Sequence, residues 1–418
     1  MKEQKIFVGI GGGAIQLGLW GYYANLAGLK VVIAEVDDAK VRAIRNNNNY
    51  YSLNIAYFDR IVPVTVGPVQ IYNPTNPEER KKILDYIEDA NDIVTAVPSA
   101  SLYEKGGVAQ LLKEGLARKK ETSPVIVYAS ENQIEAAVLL KKLVFPSGKI
   151  PSWVKFSDTV IARMGGFHSA PEFIKRHKLA LLTEAGKEAF LVEDFDKIII
   201  EKCKFSKKYH YETGFKRFFA TNHINIYEEQ KLFGHNAVHA LLGFVGKLKG
   251  YIYMSDYAGD PDFGYIGVDA LREETGFWFK KKYSYTKEED ATPKGYEAFV
   301  VQLCQRIINP FLYDSIDRII RDPDRKLSWN DRFIGVIRNS LAAGVVPKRY
   351  IIGVAAGLLL SSPDKSQALS VLENLWKDVD DEKMKQEILV LTGKAFDIIK
   401  EWQVKNNLYS YLKKINYL

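Results

Sequence analysis

The stretch KIFVGIGGGAIQLGLWGYYANLAGLKVVIAEVD, residues 5–37, decides the fold. Residues 5–10 are branched and apolar and read as a strand. Gly11, Gly12 and Gly13 follow, residues 14–28 read as a helix, and residues 29–37 read as a second strand ending at Glu35. Strand, glycine turn, helix and strand together outline a nucleotide-binding βαβ unit. Glycine lets the backbone turn tightly and approach a pyrophosphate, whose charge is favoured at the helix N-terminus. The third glycine of G-x-G-x-x-G falls at Gln16, so the fingerprint is incomplete. Gly18 and Gly21 follow and permit close packing of helix on sheet. Residues 6–29 carry no charge, which invites comparison with a membrane anchor. Seven glycines, Gln16 and Asn25 within those residues argue for the turn instead.

The candidates along this turn are Gly11, Gly13, Ala14 and Ile15, followed by the acids Glu35 and Asp37. A carboxylate at the end of the second strand accepts hydrogen bonds from the adenosine ribose. It repels a 2′-phosphate, so NAD(H) is expected over NADP(H). Asp38 and Lys40 read as solvated helix surface.

Outward from this unit, strand-like and helix-like runs alternate over the first 200 residues, which implies a parallel sheet covered by helices on both faces. Further strands are read at 57–66, 92–98, 124–130 and 187–200, and helices at 38–47, 79–90 and 108–120. From about residue 226 the chain reads as almost wholly helical. The domains are expected at 1–205 and 206–418, an α/β domain followed by an all-α one. The length of 418 residues accommodates two or three domains. Lys+Arg number 58 and Asp+Glu 51, a net charge of +7 that permits an anionic ligand without demanding nucleic acid. The aromatic and basic segment 204–219 reads as a loop with satellite core rather than a single-strand binder. Cys203 and Cys304 are too few for a disulfide scaffold and fit a cytoplasmic protein. No membrane partner is expected, no metal is assigned, and the chain is read as a monomer or simple homo-oligomer.

The most informative helix is YEEQKLFGHNAVHALLGFVGKLK, residues 227–249. It is apolar, yet Lys231, His235, Asn236 and His239 are embedded in it. At 100° per residue these four fall within about 140° of arc. A lysine in a dry setting has a lowered pKa and can act as a base near neutral pH. An amide can donate to a developing alkoxide. The alternative is a solvated polar face.

Lys231-x4-Asn236-x2-His239 resembles the signature of the polyol-specific long-chain dehydrogenases. SENQ (130–133), TAVP (95–98), the block 308–332 and VAAGLLL (354–360) resemble further parts of that family, in order and over nearly the whole chain. The resemblance implies an α/β Rossmann-like N-terminal domain with a parallel sheet, then a helical substrate and catalytic domain. It implies a metal-independent NAD-linked oxidoreductase that interconverts a sugar alcohol or its phosphate and a ketose or its phosphate. Mannitol 1-phosphate and fructose 6-phosphate are the first expectation. A non-phosphorylated polyol, a hexuronate, or a non-catalytic nucleotide-binding regulator are the alternatives. By motif, Lys231 is the general acid/base, Asn132 and Asn236 bond the reacting oxygen, and His239 orients the substrate. Ala96, Val97 and Glu131 fall on the cofactor side.

The family's Asp-Arg pair near residue 160 appears here as Ala162-Arg163, which leaves substrate identity open. Arg163 is retained as a substrate candidate, and Asp158 reads as strand-end surface. Arg332 and Arg338 are candidates for a phosphate or polyol end, because guanidinium groups grip phosphate bidentately; a helix-start ion pair of Asp331 with Arg332 is the equal alternative.

Overall fold

A computed structural model describes residues 4–215, 217–402 and 407–418. The chain divides into two compact units, the first ending at Asn225 and the second beginning at Ile226. Residues 206–225, expected in the second domain, thus belong to the first. They do so because Tyr211, Phe215 and Phe218 pack into the apolar core of the sheet.

Among the described residues, twelve strands form in the first unit. They are β1 (Ile6–Ile10), β2 (Lys30–Ala34), β3 (Tyr51–Ala56), β4 (Ile61–Val66), β5 (Gln70–Tyr72), β6 (Asp92–Thr95), β7 (Val125–Ala129), β8 (Val154–Ile161), β9 (Gly165–His168), β10 (Ala189–Glu193), β11 (Ile198–Glu201) and β12 (Phe218–Thr221). Eight of them make one sheet in the order β12-β11-β8-β7-β6-β1-β2-β5, and β4-β3-β10-β9 make a second. The large sheet is parallel except where β11 meets β8. Its central strands are apolar on both faces, as a sheet covered on both sides requires. Alternation sends Phe7, Val31, Ile33 and Val94 into one core and Val8, Val32, Ile93 and Val127 into the other. The first core includes the helix after the glycine turn and residues of the second sheet. The second includes the helices Pro77–Asp89, Val108–Arg118 and Ala136–Val144. The strand β3, which pairs with β4 and with the distant β10, is not read from the sequence, because Ser52 and Asn54 interrupt its apolar run.

Trp20, fully buried, packs on Phe7 and Tyr128, and its indole N–H donates to Ser130 Oγ at 3.0 Å. That bond ties the first helix to the carboxyl end of β7, the edge at which ligands of such sheets bind.

The second unit is helical among its described residues. Its centre is the helix Asn236–Leu248, buried from Ala237 through Gly246. The helices Arg332–Ala342, Lys348–Ser361 and Glu382–Glu401 have buried apolar faces of their own. Buried carboxylates hold the ends of elements. Asp262 accepts from the Leu408 and Tyr409 N–H groups and from Lys249. Glu274 accepts from the Arg349 and Tyr350 N–H groups at the start of the helix Lys348–Ser361. Among the described residues no helix is long and apolar enough to cross a membrane.

Candidate active site

In the first unit, Gly11 has φ +96°, and its N–H donates to the Ala34 carbonyl at 2.8 Å. A Cβ there would stand 2.6 Å from the Ala96 carbonyl oxygen, so only glycine brings the turn this close to β6. At Gly12 a Cβ would stand 2.4 Å from Oε2 of Glu35. At Gly13 nothing lies within 4 Å of that position. The turn is therefore open where the helix starts and closed beneath, as a cradle for a diphosphate requires. Ala14 and Ile15 begin the helix, half-buried.

Gln16 does not disable the turn. Its side chain is wholly buried over Gly9, where a Cβ would meet Nε2 at 2.0 Å. Close packing that the usual third glycine provides on the helix is here provided by a glycine on the strand. Residues Gln16–Gly21 then form a wider i→i+5 turn before the ordinary helix Tyr22–Leu26.

Glu35 is buried at the end of β2, its Oε1 accepting from the Asp37 N–H at 2.8 Å. Asp37 uses Oδ1 to cap the helix Asp38–Asn46, accepting from the Ala39 and Lys40 N–H groups. The reading of Lys40 as solvated is corrected: its Nζ lies 3.6 Å from Oε2 of Glu35. The Ala96 N–H donates to the Ile10 carbonyl. The Val97 N–H donates to Oε1 of Glu131 at 3.0 Å. Glu131 also receives the Thr95 hydroxyl at 3.0 Å and the Tyr103 hydroxyl. Burial pushes its carboxyl up to about 7. With three donors inside the protein, Glu131 braces the ends of β6 and β7. Asn132 follows it in an exposed loop.

Arg163 is buried. Its Nε donates to the Glu193 carbonyl at 2.7 Å and its Nη1 to the Gly18 carbonyl at 2.6 Å. It ties the end of β8 to β10 and to the widened helix, which is scaffold work rather than the ligand arm expected. Asp158 is likewise no surface residue. It is buried and accepts from the Ala137 N–H at 2.7 Å, at the start of the helix Ala136–Val144.

The expected single helix around Lys231 is composite. Ile224–Glu229 is α-helical, Gln230–His235 is a wider i→i+5 turn, and Asn236–Leu248 is α-helical again. The extra residue in that turn rotates the helix after it relative to the helix before it, so a uniform 100° wheel does not hold across it. Lys231 sits inside the turn, half-buried. Burial, then the Arg332 guanidinium, lower its amine to about 8, against an opposing pull from Glu228. Asn236 is half-buried one position after the turn. His239 is buried, its Nε2 2.9 Å from Oδ2 of Asp314. The two atoms stand at ion-pair distance. Asp314 also receives Nε of Arg318 at 2.9 Å. His235 is buried, with burial and then Arg306 holding its imidazole well below the usual range.

Arg332 lies beside Lys231 electrostatically, its Nε 2.7 Å from Oδ1 of Asp331. Arg338 instead stacks on Trp329 and donates to the Trp329 carbonyl and to Asn330 Oδ1. Lys326 closes the charged run RDPDRK, which by itself reads as solvated. It is buried, and burial followed by Arg332 pushes its amine down to about 8. Asp314, in the loop before the short helix Ile316–Ile319, and Arg318, within it, come from a separate segment and leave no periodic signal in the helix that carries His239.

The mannitol dehydrogenase Rossmann domain matches residues 5–211 and the mannitol dehydrogenase C-terminal domain matches residues 223–407. The chain belongs to the mannitol dehydrogenase family. A mannitol-1-phosphate 5-dehydrogenase of Caldanaerobacter subterraneus subsp. tengcongensis is 28% identical over 400 residues, 94% of this chain and 95% of that protein. One from an Exiguobacterium species is 28% identical over 363 residues, 86% of this chain and 87% of its own. The fold is shared with Pseudomonas fluorescens mannitol 2-dehydrogenase, solved as a ternary complex with NAD and D-mannitol. Its TM-score is 0.73 at 14% identity, over 99% of this chain and 95% of that one. A substrate-free D-sorbitol dehydrogenase gives 0.71 at 16% identity, over 96% and 94%. The family membership makes the chain a polyol dehydrogenase, an oxidoreductase of Rossmann and helical domains.

Proposed function

We propose that the chain is an NAD-dependent sugar-alcohol phosphate dehydrogenase, interconverting mannitol 1-phosphate and fructose 6-phosphate with Lys231 as general acid/base. The observation that carries this reading is the setting of Lys231: it stands half-buried in the wider turn Gln230–His235, where burial and the Arg332 guanidinium lower its amine to about 8. At neutral to mildly alkaline pH such an amine exchanges a proton with little driving-force penalty in either direction.

The residues that fit the dinucleotide are the open Gly13 corner, the helix opening at Ala14 and Ile15, and Glu35 at the end of β2. NAD would accept the hydride that leaves the carbinol carbon with its electron pair. The neutral Lys231 amine takes the hydroxyl proton as the carbonyl forms. In the reverse direction the ammonium returns it. Asn236 is assigned the donor to the substrate oxygen. His239, held toward Asp314, orients a substrate hydroxyl.

The phosphate is assigned to Lys326 and Arg332. Two neighbouring cations, one of them buried, are suited to an anion that both can face. Arg338 is engaged with Trp329 and is left out of this role.

The test is NADH oxidation by the purified protein with fructose 6-phosphate, fructose, fructuronate and tagaturonate. Turnover is expected with fructose 6-phosphate, and K326M should raise its KM at least tenfold with less effect on fructose. NADH binding without turnover of any ketose would sink the reading. Preference for fructuronate or tagaturonate would move the anion from a phosphate to a carboxylate.

A further inference from the structure

Glu35 is held in one place by three neighbours. Its Oε1 takes the Asp37 N–H, its Oε2 lies against Gly12, and the same Oε2 lies 3.6 Å from Nζ of Lys40. Lys40 stands in the first turn of the helix Asp38–Asn46, and its side chain is only 20% exposed. Its ammonium also lies 5.9 Å from the centre of the Phe167 ring. Stem and head are therefore packed rather than trailing in solvent. The other charges on this turn are engaged elsewhere. Asp37 caps the helix, Asp38 faces Arg42 and Asn73, and Arg45 is paired with Glu79.

A lone carboxylate at this position excludes a 2′-phosphate by repulsion. A carboxylate paired with an ammonium excludes it far less, because the two fields largely cancel beyond the pair. The ammonium is also the natural partner of a phosphate once the carboxylate no longer holds it.

We propose that Lys40 is a specificity-determining residue of the nucleotide site: it tempers the discrimination of Glu35 against a 2′-phosphate and is the cation that receives that phosphate. The inference rests on the dinucleotide reading above and concerns only which dinucleotide is accepted. Glu35 and Lys40 act as one coupled pair, so neither substitution alone predicts the double one.

The test is calorimetric titration of the whole chain with 5′-AMP and with 2′,5′-ADP, which needs no turnover. E35Q keeps the acceptor for the Asp37 N–H and the shape of the side chain while removing its charge. It should tighten 2′,5′-ADP at least tenfold relative to 5′-AMP. K40M alone should weaken 2′,5′-ADP relative to 5′-AMP by about fivefold or more. E35Q/K40M should lose the E35Q gain. If the double variant keeps that gain, or K40M leaves the ratio unchanged, Lys40 has no such role. If the wild-type chain binds neither probe nor NADH, the dinucleotide reading itself fails and takes this inference with it. Binding of 5′-AMP with an unmoved ratio overturns the inference alone.

Discussion

Nε2 of His239 lies 2.9 Å from Oδ2 of Asp314, and both side chains are buried. Burial alone would push the Asp314 carboxyl up, but Arg318 and His239 outweigh it and hold the group at about 2. The imidazole is thereby held toward a permanent negative charge, which biases its tautomer and orientation.

D314N should keep the volume and lose that charge. We expect kcat to fall about tenfold or more, roughly 1.4 kcal/mol at the barrier, with cofactor affinity unchanged. The folded pKa lies below the unfolded value, so the unfolded chain binds more protons between them. The stabilisation is present above about pH 4 and lost as pH falls through 2. Urea melts of wild type and D314N should differ at pH 7 and converge toward pH 2; a constant gap would refute the linkage.

Lys231 should control the pH profile. Oxidation of the alcohol needs the neutral amine and should rise to a plateau above about pH 8, whereas ketose reduction should fall there. K231A should lose about 10²- to 10⁴-fold in kcat and bind NADH normally. Because the folded pKa is lowered, stability increases with pH from 8 toward the unfolded value. K231M should therefore melt about 1–3 °C higher at pH 7 while being inactive. A drop in melting temperature would contradict the desolvated setting.

Glu131 has its pKa raised by burial to about 7. The folded state holds the extra proton between the unfolded value and 7, so this group's stabilisation is full below about pH 4 and lost as pH rises through 7. E131Q mimics the protonated acid. It should flatten the decline of thermal stability between pH 5 and 8 relative to wild type; parallel curves would show that Glu131 stays ionised.

Gly12→Ala would place a methyl carbon against Glu35. The carboxylate must move, so dinucleotide affinity should fall about tenfold, roughly 1.4 kcal/mol. Circular dichroism should remain that of the wild type. Unchanged NADH affinity would mean that Glu35 does not contact the nucleotide.

R163M separates scaffold from substrate binding. It leaves the Gly18 and Glu193 carbonyls without their guanidinium, at a cost of about 3 kcal/mol. Residual folded enzyme should keep its KM within about threefold. A large KM increase without destabilisation would restore Arg163 to the substrate.

The glycine turn, Glu35 and the lysine helix were legible because each is a local pattern: a period, a breaker, or a polar residue on an apolar helix. The roles of Arg163, Asp158 and Lys40 were not. Each side chain's job depends on a partner outside its own local pattern, such as Gly18, the Ala137 N–H or the Glu35 carboxylate. Lys326 was hidden by the opposite effect, since a charged run looks solvated even when one of its ammonium groups is buried.

The sequence by itself determined the two-part architecture, because hydrophobic periodicity switches from strands alternating with helices to helices alone. It also determined where the reactive residue types stand along the chain. Tertiary structure alone decided how Gln16 could replace a glycine, by setting its side chain over Gly9. It alone decided which acids are braces and which are paired, and that the surroundings of Lys231 lower its amine. Desolvation and charge pairing are set by what surrounds an atom, and those surroundings come from segments far apart in the chain.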